Sequence, residues 1–372
     1  MAIAVYIWAA IERVKECRAG YWTIVLGALS GFLYYWGSLG HYGVLPLCCS
    51  LFGYYVLVGR GAGLLPVHGK AVLVTGCDTG FGHALAKLLS DMGVTVFAGV
   101  LDEDGAGAQG LRRHSSKDLQ VLQLDVTDHS QIEQAHRYVC SHVGEKGLWG
   151  LVNNAGILGY PADGELQPLA TYRRCMDVNF MSTVEMCQVF LPLLRKSRGR
   201  IVNMLSMAGE VPMPMLCAYG ASKAALGNFS RVMKMELDAW GVKVAIVQPS
   251  GFRTNIFNSD KEWSCHQEEI LSNLPSDTRE DYGEEYISSL RGCLLEMANQ
   301  SLEDLRPVLK DICHALMSVA PKSLYTPGRG GWLLPFFYRI CPNAISDVIL
   351  KRLFKLVDAQ PEGLRMKVSG TE

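Results

Sequence analysis

The sequence has no excess of charge of either sign. Its 372 residues include 35 Lys and Arg against 36 Asp and Glu, which gives a formal net charge of −1. Proteins that bind the phosphate backbone of nucleic acids concentrate basic residues in patches or stripes. The composition therefore argues against a nucleic-acid partner, and the balanced charge indicates no other class of partner.

The 12 cysteines form no metal-binding pattern. No Cys-x-x-Cys pair occurs, and only Cys48 and Cys49 are adjacent. Zinc sites bring cysteines together in closely spaced pairs, and secreted disulfide frameworks occur mainly in short chains. We therefore predict no metal site, and we expect reduced thiols that mostly pack in the interior.

A long N-terminal segment lacks charged side chains altogether. Asp, Glu, Lys and Arg are absent between Arg18 and Arg60. One helix needs about 20 apolar residues to cross a bilayer, so the segment is long enough for two spans, predicted at 21–39 and 44–58. We predict that residues 1–69 form a membrane anchor and linker, which makes the lipid bilayer a partner. The alternatives are a cleavable signal peptide, a buried hairpin and a re-entrant segment.

Residues 70–82 combine a buried strand, a glycine turn and the start of a helix. The apolar run at 70–75 is typical of a parallel strand that is covered on both faces. Gly76, Gly80 and Gly82 follow it. Glycines permit a tight turn and a close approach to a pyrophosphate, and the N-terminus of the next helix favours an anion. A dinucleotide site is predicted here, although glycine-rich turns also close ordinary strand–helix units.

Strands and helices alternate over the remainder of the chain. This alternation predicts an α/β fold with a Rossmann-type, doubly wound parallel sheet of about seven strands. Asp125 and Val126 follow the third predicted strand, and the run Asn153 to Gly156 follows the fourth, which places them at the carboxyl edge where a ligand would lie. Further strands are predicted at 94–100, 119–124, 148–152, 200–205, 242–247 and 323–325.

Cations are missing after the second predicted strand. No Lys or Arg occurs between Lys87 and Arg112, whereas Asp102, Glu103 and Asp104 follow that strand directly. The end of this strand is where such folds contact the adenosine ribose, and the 2′-phosphate of NADP would meet carboxylates there. The pattern favours NAD, with Asp102 as the candidate ribose contact. A turn of solvated acidic residues is the alternative.

The helix predicted at 217–240 carries Tyr219 and Lys223 one turn apart on the same face. A charge ~4 Å from the phenol at an effective dielectric constant of ~20 contributes ~4 kcal/mol, about three pKa units. We therefore expect Lys223 to lower the pKa of Tyr219 so that it acts as a base near neutrality. Ser206, at the end of the fifth predicted strand, would hold the substrate oxygen. A Tyr and a Lys at this spacing also arise by chance, so the assignment depends on the surrounding motifs.

Six motifs, in order and in spacing, resemble the short-chain dehydrogenase/reductase family. They are TGCDTGFG at 75–82, NNAG at 153–156, Asn179, Ser206, YGASK at 219–223 and PSGFRT at 249–254. The resemblance covers about residues 70–330, within a predicted catalytic domain at 70–335, and is most detailed to the membrane-anchored hydroxysteroid and retinol dehydrogenases of the family.

The resemblance implies a role for each matching residue. Tyr219 would be the acid/base, Lys223 would bind the nicotinamide ribose, and Ser206 would position the substrate oxygen. Asn179 would support a water relay to the lysine. The implied cofactor contacts, besides Tyr219 and Lys223, are Gly76, Gly80, Phe81, Gly82, Asp102, Asp125, Val126, Asn154, Ala155, Gly156, Pro249, Gly251 and Thr254.

Two segments, 207–216 and 255–300, are the candidates for selecting the substrate. Residues 207–216 are rich in apolar residues and fit an irregular apolar pocket, so Val211 and Met213 are predicted substrate contacts beside Ser206 and Tyr219; ordinary core packing is the alternative. Residues 255–300 are predicted to form a lid. Residues 336–372 are predicted to form a tail at the membrane interface or a solvated helix.

Together these features predict an NAD-dependent enzyme of the endoplasmic reticulum membrane that oxidises the 17β-hydroxyl of steroids. An 11β-hydroxysteroid or retinol dehydrogenase shares every catalytic residue and stays open. A catalytically silent, membrane-anchored binding or scaffold protein is the alternative of another class. The resemblance also suggests a homodimer, because helices such as 217–240 often pair in the family.

Overall fold

The computed structural model of the protein describes residues 63–114, 117–256, 260–354 and 360–369. The two predicted membrane spans lie outside these residues. Among the helices that the structure does describe, none has the length and apolar character that crossing a bilayer requires.

The chain divides into two compact units, residues 1–65 with 317–323 and residues 66–316 with 324–372. In the first unit, Leu64 and Ser318 form an isolated antiparallel bridge. The backbone N–H of Leu65 donates to the carbonyl of Met317 at 2.6 Å. The predicted domain boundaries stay predictions.

The second unit is built on a parallel sheet in which the structure describes seven strands in the order β3-β2-β1-β4-β5-β6-β7. This order confirms the predicted doubly wound α/β fold. Each strand begins or ends within two residues of its predicted bounds. The strands are β1 (Ala71–Val74), β2 (Thr95–Val100), β3 (Leu119–Gln123), β4 (Gly150–Asn153), β5 (Arg200–Met204), β6 (Lys243–Val247) and β7 (Leu324–Tyr325).

Helices connect the strands, as parallel pairing requires. Those between the strands are α1 (Gly80–Asp91), α2 (Ala106–Arg112), α3 (His129–Val143), α4 (Leu169–Met176), α5 (Ser182–Ser197) and α6 (Cys217–Leu237). After β6 come α7 (Asp260–Asn273), α8 (Ser276–Tyr282), α9 (Glu284–Gln300) and α10 (Arg306–Met317), and after β7 come α11 (Leu333–Ile340), α12 (Asn343–Leu353) and α13 (Glu362–Ser369).

The main core lies between the sheet and helices α3 and α5. Phe97 of β2, Leu151 of β4 and Phe190 of α5 are completely buried in one cluster. Burying a large apolar side chain stabilises the fold by about 1.5–3 kcal/mol. The central strands therefore read as continuous apolar runs because both of their faces are covered.

The strand order reverses at β1, which lies between β2 and β4. In open α/β sheets, ligands bind in the crevice at the carboxyl ends of the strands at this point of reversal. The turn after β1, the segment after β4 and the segment after β5 all begin at that edge. The topology thus brings the motifs at 75–82, 153–156 and 206 to one side of the molecule.

Candidate active site

A cavity of about 670 Å³ opens at this carboxyl edge. Most of the cofactor contacts that the resemblance implies line it: Gly76, Gly80, Phe81, Asp125, Val126, Asn154, Ala155, Gly156, Tyr219, Lys223, Pro249 and Thr254. Three implied contacts do not line the cavity, namely Gly82, Asp102 and Gly251. The local packing of each residue explains why.

The glycine turn requires its glycines in two different ways. Gly76 and Gly80 have φ of +67° and +59°, a backbone conformation that side chains disfavour. A Cβ on Gly82 would lie 2.3 Å from the carbonyl oxygen of Gly76. Gly82 therefore lets α1 pack beneath the turn and does not itself face the cavity.

Asn154 fixes the glycine turn from the neighbouring strand. Its side-chain nitrogen donates to the carbonyls of Thr75 at 2.8 Å and Gly76 at 3.1 Å. The backbone N–H groups of Asn154 and Ala155 donate to the Thr75 hydroxyl, each at 3.0 Å. Both amide hydrogens of Asn154 are thus used within the protein, so its contribution near the ribose is to hold the turn. Sequence reasoning missed Thr75, which the Thr-Gly pair at the strand end could have signalled.

The acidic turn after β2 is organised by Asp78. The Asp78 carboxylate accepts hydrogen bonds from the backbone N–H of Leu101 at 3.0 Å and of Asp102 at 3.2 Å. Asp102 is exposed, and its own carboxylate accepts from the N–H of Asp104 at 3.0 Å. Leu101, and not Asp102, lines the cavity. The structure therefore does not bring the predicted ribose contact to the site, because the Asp102 side chain bonds within its own turn.

Gly251 faces a different part of the chain. Its carbonyl accepts from the N–H of Leu302 at 3.0 Å, and a Cβ on Gly251 would lie 3.2 Å from the Ser301 hydroxyl. The glycine allows the segment after β6 to approach the residues that follow α9. Gly251 does not line the cavity, whereas Pro249 and Thr254 do, and its implied contact with the cofactor stays a prediction.

Tyr219, the predicted acid/base, lines the cavity. Tyr219 is 7% exposed, and burial raises its pKa to about 12, an effect that a hydrogen bond with the Ser206 side chain partly offsets. Ser206 begins the short 3₁₀ turn Met207–Gly209, and its hydroxyl accepts from the N–H of Ala208 at 3.2 Å. Ser206 and Tyr219 are therefore brought together, as one substrate oxygen requires.

Lys223 is buried beneath the cavity. Its ammonium donates to the carbonyl of Met204 at 2.9 Å and lies 5.8 Å from the centre of the Tyr219 ring. Burial lowers the pKa of Lys223 to about 8. The expected fall in the pKa of Tyr219 is not met, because burial of the phenol raises that pKa.

Asn179 occupies a π-helical turn, Asp177–Met181, between α4 and α5. Its completely buried side chain accepts from the N–H of Ile157 at 2.8 Å and donates to the Ile157 carbonyl at 2.9 Å and to the Ser222 hydroxyl at 2.9 Å. Single π turns inside helices occur frequently at functional sites. Asn179 ties the segment after β4 to helix α6, and the water relay that the resemblance implies stays a prediction.

The cover over Tyr219 is apolar. Residues 260–300, the described part of the predicted lid beyond residue 256, form α7, α8 and α9. Ile270 of α7 and Ile287 of α9 share a buried cluster with Tyr219, and Met213 packs against that cluster. Val211 is completely buried and does not line the cavity. Core packing therefore accounts for Val211; Met213 does not line the cavity either, and its contact with the substrate stays a prediction.

Three further residues near the site belong to none of the six sequence motifs. Arg173 and Arg174 of α4 line the cavity. Cys175 is buried beside Tyr219 and Lys223, and burial raises its pKa to about 11. Sequence reasoning missed all three. The sequence of α4 gives no signal for the arginines, because an amphipathic helical face does not show which surface it meets.

Comparison with known proteins agrees with this geometry. A family model described as short chain dehydrogenase matches residues 70–264. The human protein named 17-beta-hydroxysteroid dehydrogenase type 2 is 46% identical over 350 residues, covering 94% of this chain and 88% of that protein. The 11-beta-hydroxysteroid dehydrogenase type 2 of Oryctolagus cuniculus is 44% identical over 301 residues, covering 81% of this chain and 74% of that protein.

A solved structure shows the same fold at lower identity. The crystal structure of a short-chain dehydrogenase from Streptomyces avermitilis matches with a TM-score of 0.59 and 23% identity, covering 82% of this chain and 99% of that one.

Proposed function

The chain belongs to the short-chain dehydrogenase/reductase family, and on that premise we propose that it is an NAD-dependent hydroxysteroid dehydrogenase that oxidises the 17β-hydroxyl of steroids to a ketone. As a member of the family it is an oxidoreductase that acts on hydroxyl groups. The observation that carries the proposal is that Tyr219 and Lys223 line the same cavity as the glycine turn. The 46% identity to a 17-beta-hydroxysteroid dehydrogenase supports the position of the substrate hydroxyl.

The lining of the cavity fits a nicotinamide dinucleotide. Gly76, Thr79 and Gly80 line the cavity, and the N-cap Thr79 of α1 makes no side-chain capping bond. The first N–H groups of that helix therefore favour an anion such as a pyrophosphate. Bound NAD would supply the hydride acceptor. The sequence supports NAD over NADP, because no Lys or Arg that could pair with a 2′-phosphate occurs between Lys87 and Arg112.

The protein's own groups would handle the oxygen and its proton. In this proposal a substrate hydroxyl would bond to both Ser206 and Tyr219. Tyr219 as phenolate would take the hydroxyl proton in oxidation, and as phenol would return it in reduction. A phenol with a pKa of about 12 is protonated at neutral pH, so oxidation requires that the ligated site favour the phenolate. The buried ammonium of Lys223 acts in that direction.

The apolar surroundings of Tyr219 support a lipophilic substrate. Tyr160, Leu216 and Ile270 belong to the buried cluster that contains Tyr219. A steroid presents a rigid apolar body with few polar groups, which suits such surroundings. The second candidate, an 11β-hydroxysteroid dehydrogenase, is favoured by the 44% identity to such an enzyme and would use the same catalytic residues.

We place the enzyme at the endoplasmic reticulum membrane as part of the same proposal. The stretch without charged residues between Arg18 and Arg60 supports an anchor, and lipophilic alcohols partition into bilayers. A homodimer is also proposed. Fractionation with extraction by detergent but not by alkaline carbonate would test the anchor, and chemical cross-linking of the extracted protein would test the dimer.

The function is tested by an assay of membranes from cells that express the full chain. Estradiol, testosterone, cortisol and retinol are each supplied with NAD or NADP, and the products are identified by mass spectrometry. We expect NAD-dependent formation of estrone and androstenedione, absent from membranes that carry Tyr219→Phe. Oxidation of cortisol alone would assign the second candidate. Oxidation of retinol alone would reject both steroid assignments, and turnover of none of the four would favour a silent binding protein.

A further inference from the structure

Helix α4 turns one face toward the cavity. Ala170, Arg173, Arg174, Asp177 and Val178 all line it, and their spacing of three, four, seven and eight residues from Ala170 is that of one helical face. The two arginines therefore share a face with residues that are at the cavity wall. Arg173 and Arg174 therefore differ from ordinary surface arginines, which extend from a helix into bulk water.

The charges of these arginines are not used inside the protein. Within the described part of the chain, neither Arg173 nor Arg174 makes a hydrogen bond or an ion pair, whereas Arg112, Arg137 and Arg253 each have a glutamate partner. Both residues are exposed. A guanidinium that is not ion-paired with a carboxylate is available to an anion, which it binds through two parallel hydrogen bonds.

A dinucleotide would need cations that its expected cradle does not supply. Its pyrophosphate carries two negative charges, but the glycine turn contains no Lys or Arg, and none occurs between Lys87 and Arg112. The N-terminus of α1 offers about half a positive charge. Among the described lining residues, the cations are Arg173, Arg174 and Lys223, and the ammonium of Lys223 is bonded to the carbonyl of Met204.

The acidic residues of the cavity make this need larger. Asp78 and Asp125 line the same space as the glycine turn. The carboxylate of Asp78 holds the N–H groups of Leu101 and Asp102, and that of Asp125 accepts from the N–H and hydroxyl of Thr127 at 2.8 and 2.7 Å. These bonds moderate the negative charges without removing them, so an anionic ligand is repelled unless a cation approaches it.

On the premise of the proposed function, that the cavity holds a nicotinamide dinucleotide, we propose that Arg173 and Arg174 bind the phosphates of its pyrophosphate. Helix α4 then contributes a cationic wall to a site whose glycine turn contributes backbone N–H groups. The family motifs do not mark this wall, and it supplies the positive charge that the sequence around the turn lacks.

The test measures binding without turnover. The dissociation constants of NADH, NADPH, ADP and adenosine are measured with the full chain in detergent, by NADH fluorescence and by competition against it. The variants are Arg173→Gln/Arg174→Gln, its Lys/Lys counterpart, and Arg137→Gln on α3 as the matched surface control, which is ion-paired with Glu133 and outside the cavity. Thermal unfolding of each variant establishes that it is folded, and if the double Gln variant is not, the two single Gln variants replace it.

We expect the double Gln variant to weaken NADH and ADP by about 10- to 100-fold, as loss of charge-assisted hydrogen bonds predicts. Adenosine should bind as in the wild type, the Lys/Lys variant should recover part of the affinity, and Arg137→Gln should change nothing. Added salt should weaken NADH binding less in the Gln variant than in the wild type, because fewer charge pairs remain to be screened.

Other results would overturn the inference. An unchanged dissociation constant for NADH in a folded double Gln variant would reject it while leaving the proposed function intact. Equal weakening of adenosine would indicate stacking on the base, and selective weakening of NADPH would indicate a 2′-phosphate contact; each contradicts the pyrophosphate assignment. Failure of the wild type to bind NADH or NADPH would reject the proposed function itself.

Discussion

The side-chain nitrogen of Asn179 donates to the hydroxyl of Ser222 at 2.9 Å. Ser222 passes this bond on, because its hydroxyl donates to the carbonyl of Tyr219 at 2.7 Å, and it immediately precedes Lys223. The other polar contacts of Asn179 are the N–H and the carbonyl of Ile157. One buried side chain therefore connects the segment after β4 with the turn of α6 that bears the acid/base and its lysine.

Replacing Asn179 with Ala should loosen both connected segments. The N–H of Ile157 loses its acceptor, and leaving a buried group without a partner costs about 1–3 kcal/mol. We expect the free energy of unfolding to fall by about that amount, measured by denaturant titration, and kcat to fall more than KM rises.

Ser222→Ala is the matched control for this effect, because it removes the bond to α6 and leaves both bonds to Ile157 in place. We expect a smaller loss of stability with a reduced kcat. Stability and kcat equal to the wild type in both variants would show that the connection has no role in positioning the helix.

Gly82→Ala should damage the cofactor site through the backbone. The added Cβ would lie 2.3 Å from the Gly76 carbonyl oxygen and 2.6 Å from the Asn154 side-chain nitrogen, so the glycine turn must move. We expect weaker NADH binding by at least about tenfold, which corresponds to about 1.4 kcal/mol. Gly292→Ala is the control, because a Cβ there meets nothing within 4 Å and Ala in a helix is favoured by up to about 1 kcal/mol. Equal NADH affinity in Gly82→Ala and the wild type would contradict the packing account.

The rate of oxidation should rise with pH. Burial raises the pKa of Tyr219 to about 12, so the phenolate is the minor form at neutral pH and its fraction increases as protons are removed. We expect kcat/KM for alcohol oxidation to increase between pH 6 and 8, by up to about tenfold per unit if the phenolate limits the rate. Ketone reduction, which uses the phenol, should show no such increase. An oxidation rate that is flat or falls over this range would reject Tyr219 as the group that accepts the proton.

Lys223→Met should abolish turnover without destabilising the fold. Burial lowers the pKa of Lys223 from its ordinary 10.5 to about 8, which means that the folded state disfavours the charged form. This effect lowers the free energy of unfolding by roughly 3 kcal/mol, since one pKa unit corresponds to about 1.36 kcal/mol. The loss of stability is complete well below pH 8 and vanishes above the pKa that the lysine has in the unfolded chain. We expect the variant to unfold at an equal or higher temperature than the wild type at pH 7, since the lost bond to Met204 offsets part of the gain, and to lose turnover. Marked destabilisation at pH 7 would contradict this account of the buried ammonium.

The sequence predicts well those features that depend on the local order of residues. The strand and helix periodicities yielded the parallel sheet, and the turn glycines and the Tyr219–Lys223 spacing placed the site, because each feature is determined within one turn or one strand. Asp102, Gly251 and Val211 do not line the cavity, because the position of a residue relative to a cavity depends on partners elsewhere in the chain. For Gly251 those partners are Ser301 and Leu302, some 50 residues away.

The electrostatics of the site were harder to predict than its geometry. The expected fall in the pKa of Tyr219 rested on the nearness of Lys223, but desolvation of a buried phenol acts in the opposite direction, and burial depends on the tertiary packing of α7 and α9. The cavity wall formed by Arg173 and Arg174 was missed for a related reason, because an amphipathic face of α4 does not reveal from sequence which surface it meets.

The central claim is that Tyr219 is the acid/base of an alcohol dehydrogenase, and it is tested most directly by the turnover of Tyr219→Phe with estradiol and NAD. The change removes one hydroxyl and leaves the ring in its buried cluster, so the variant should fold and bind NADH with the affinity of the wild type. We expect kcat to fall by at least about 10². Turnover like that of the wild type, in a variant that binds NADH normally, would contradict the account.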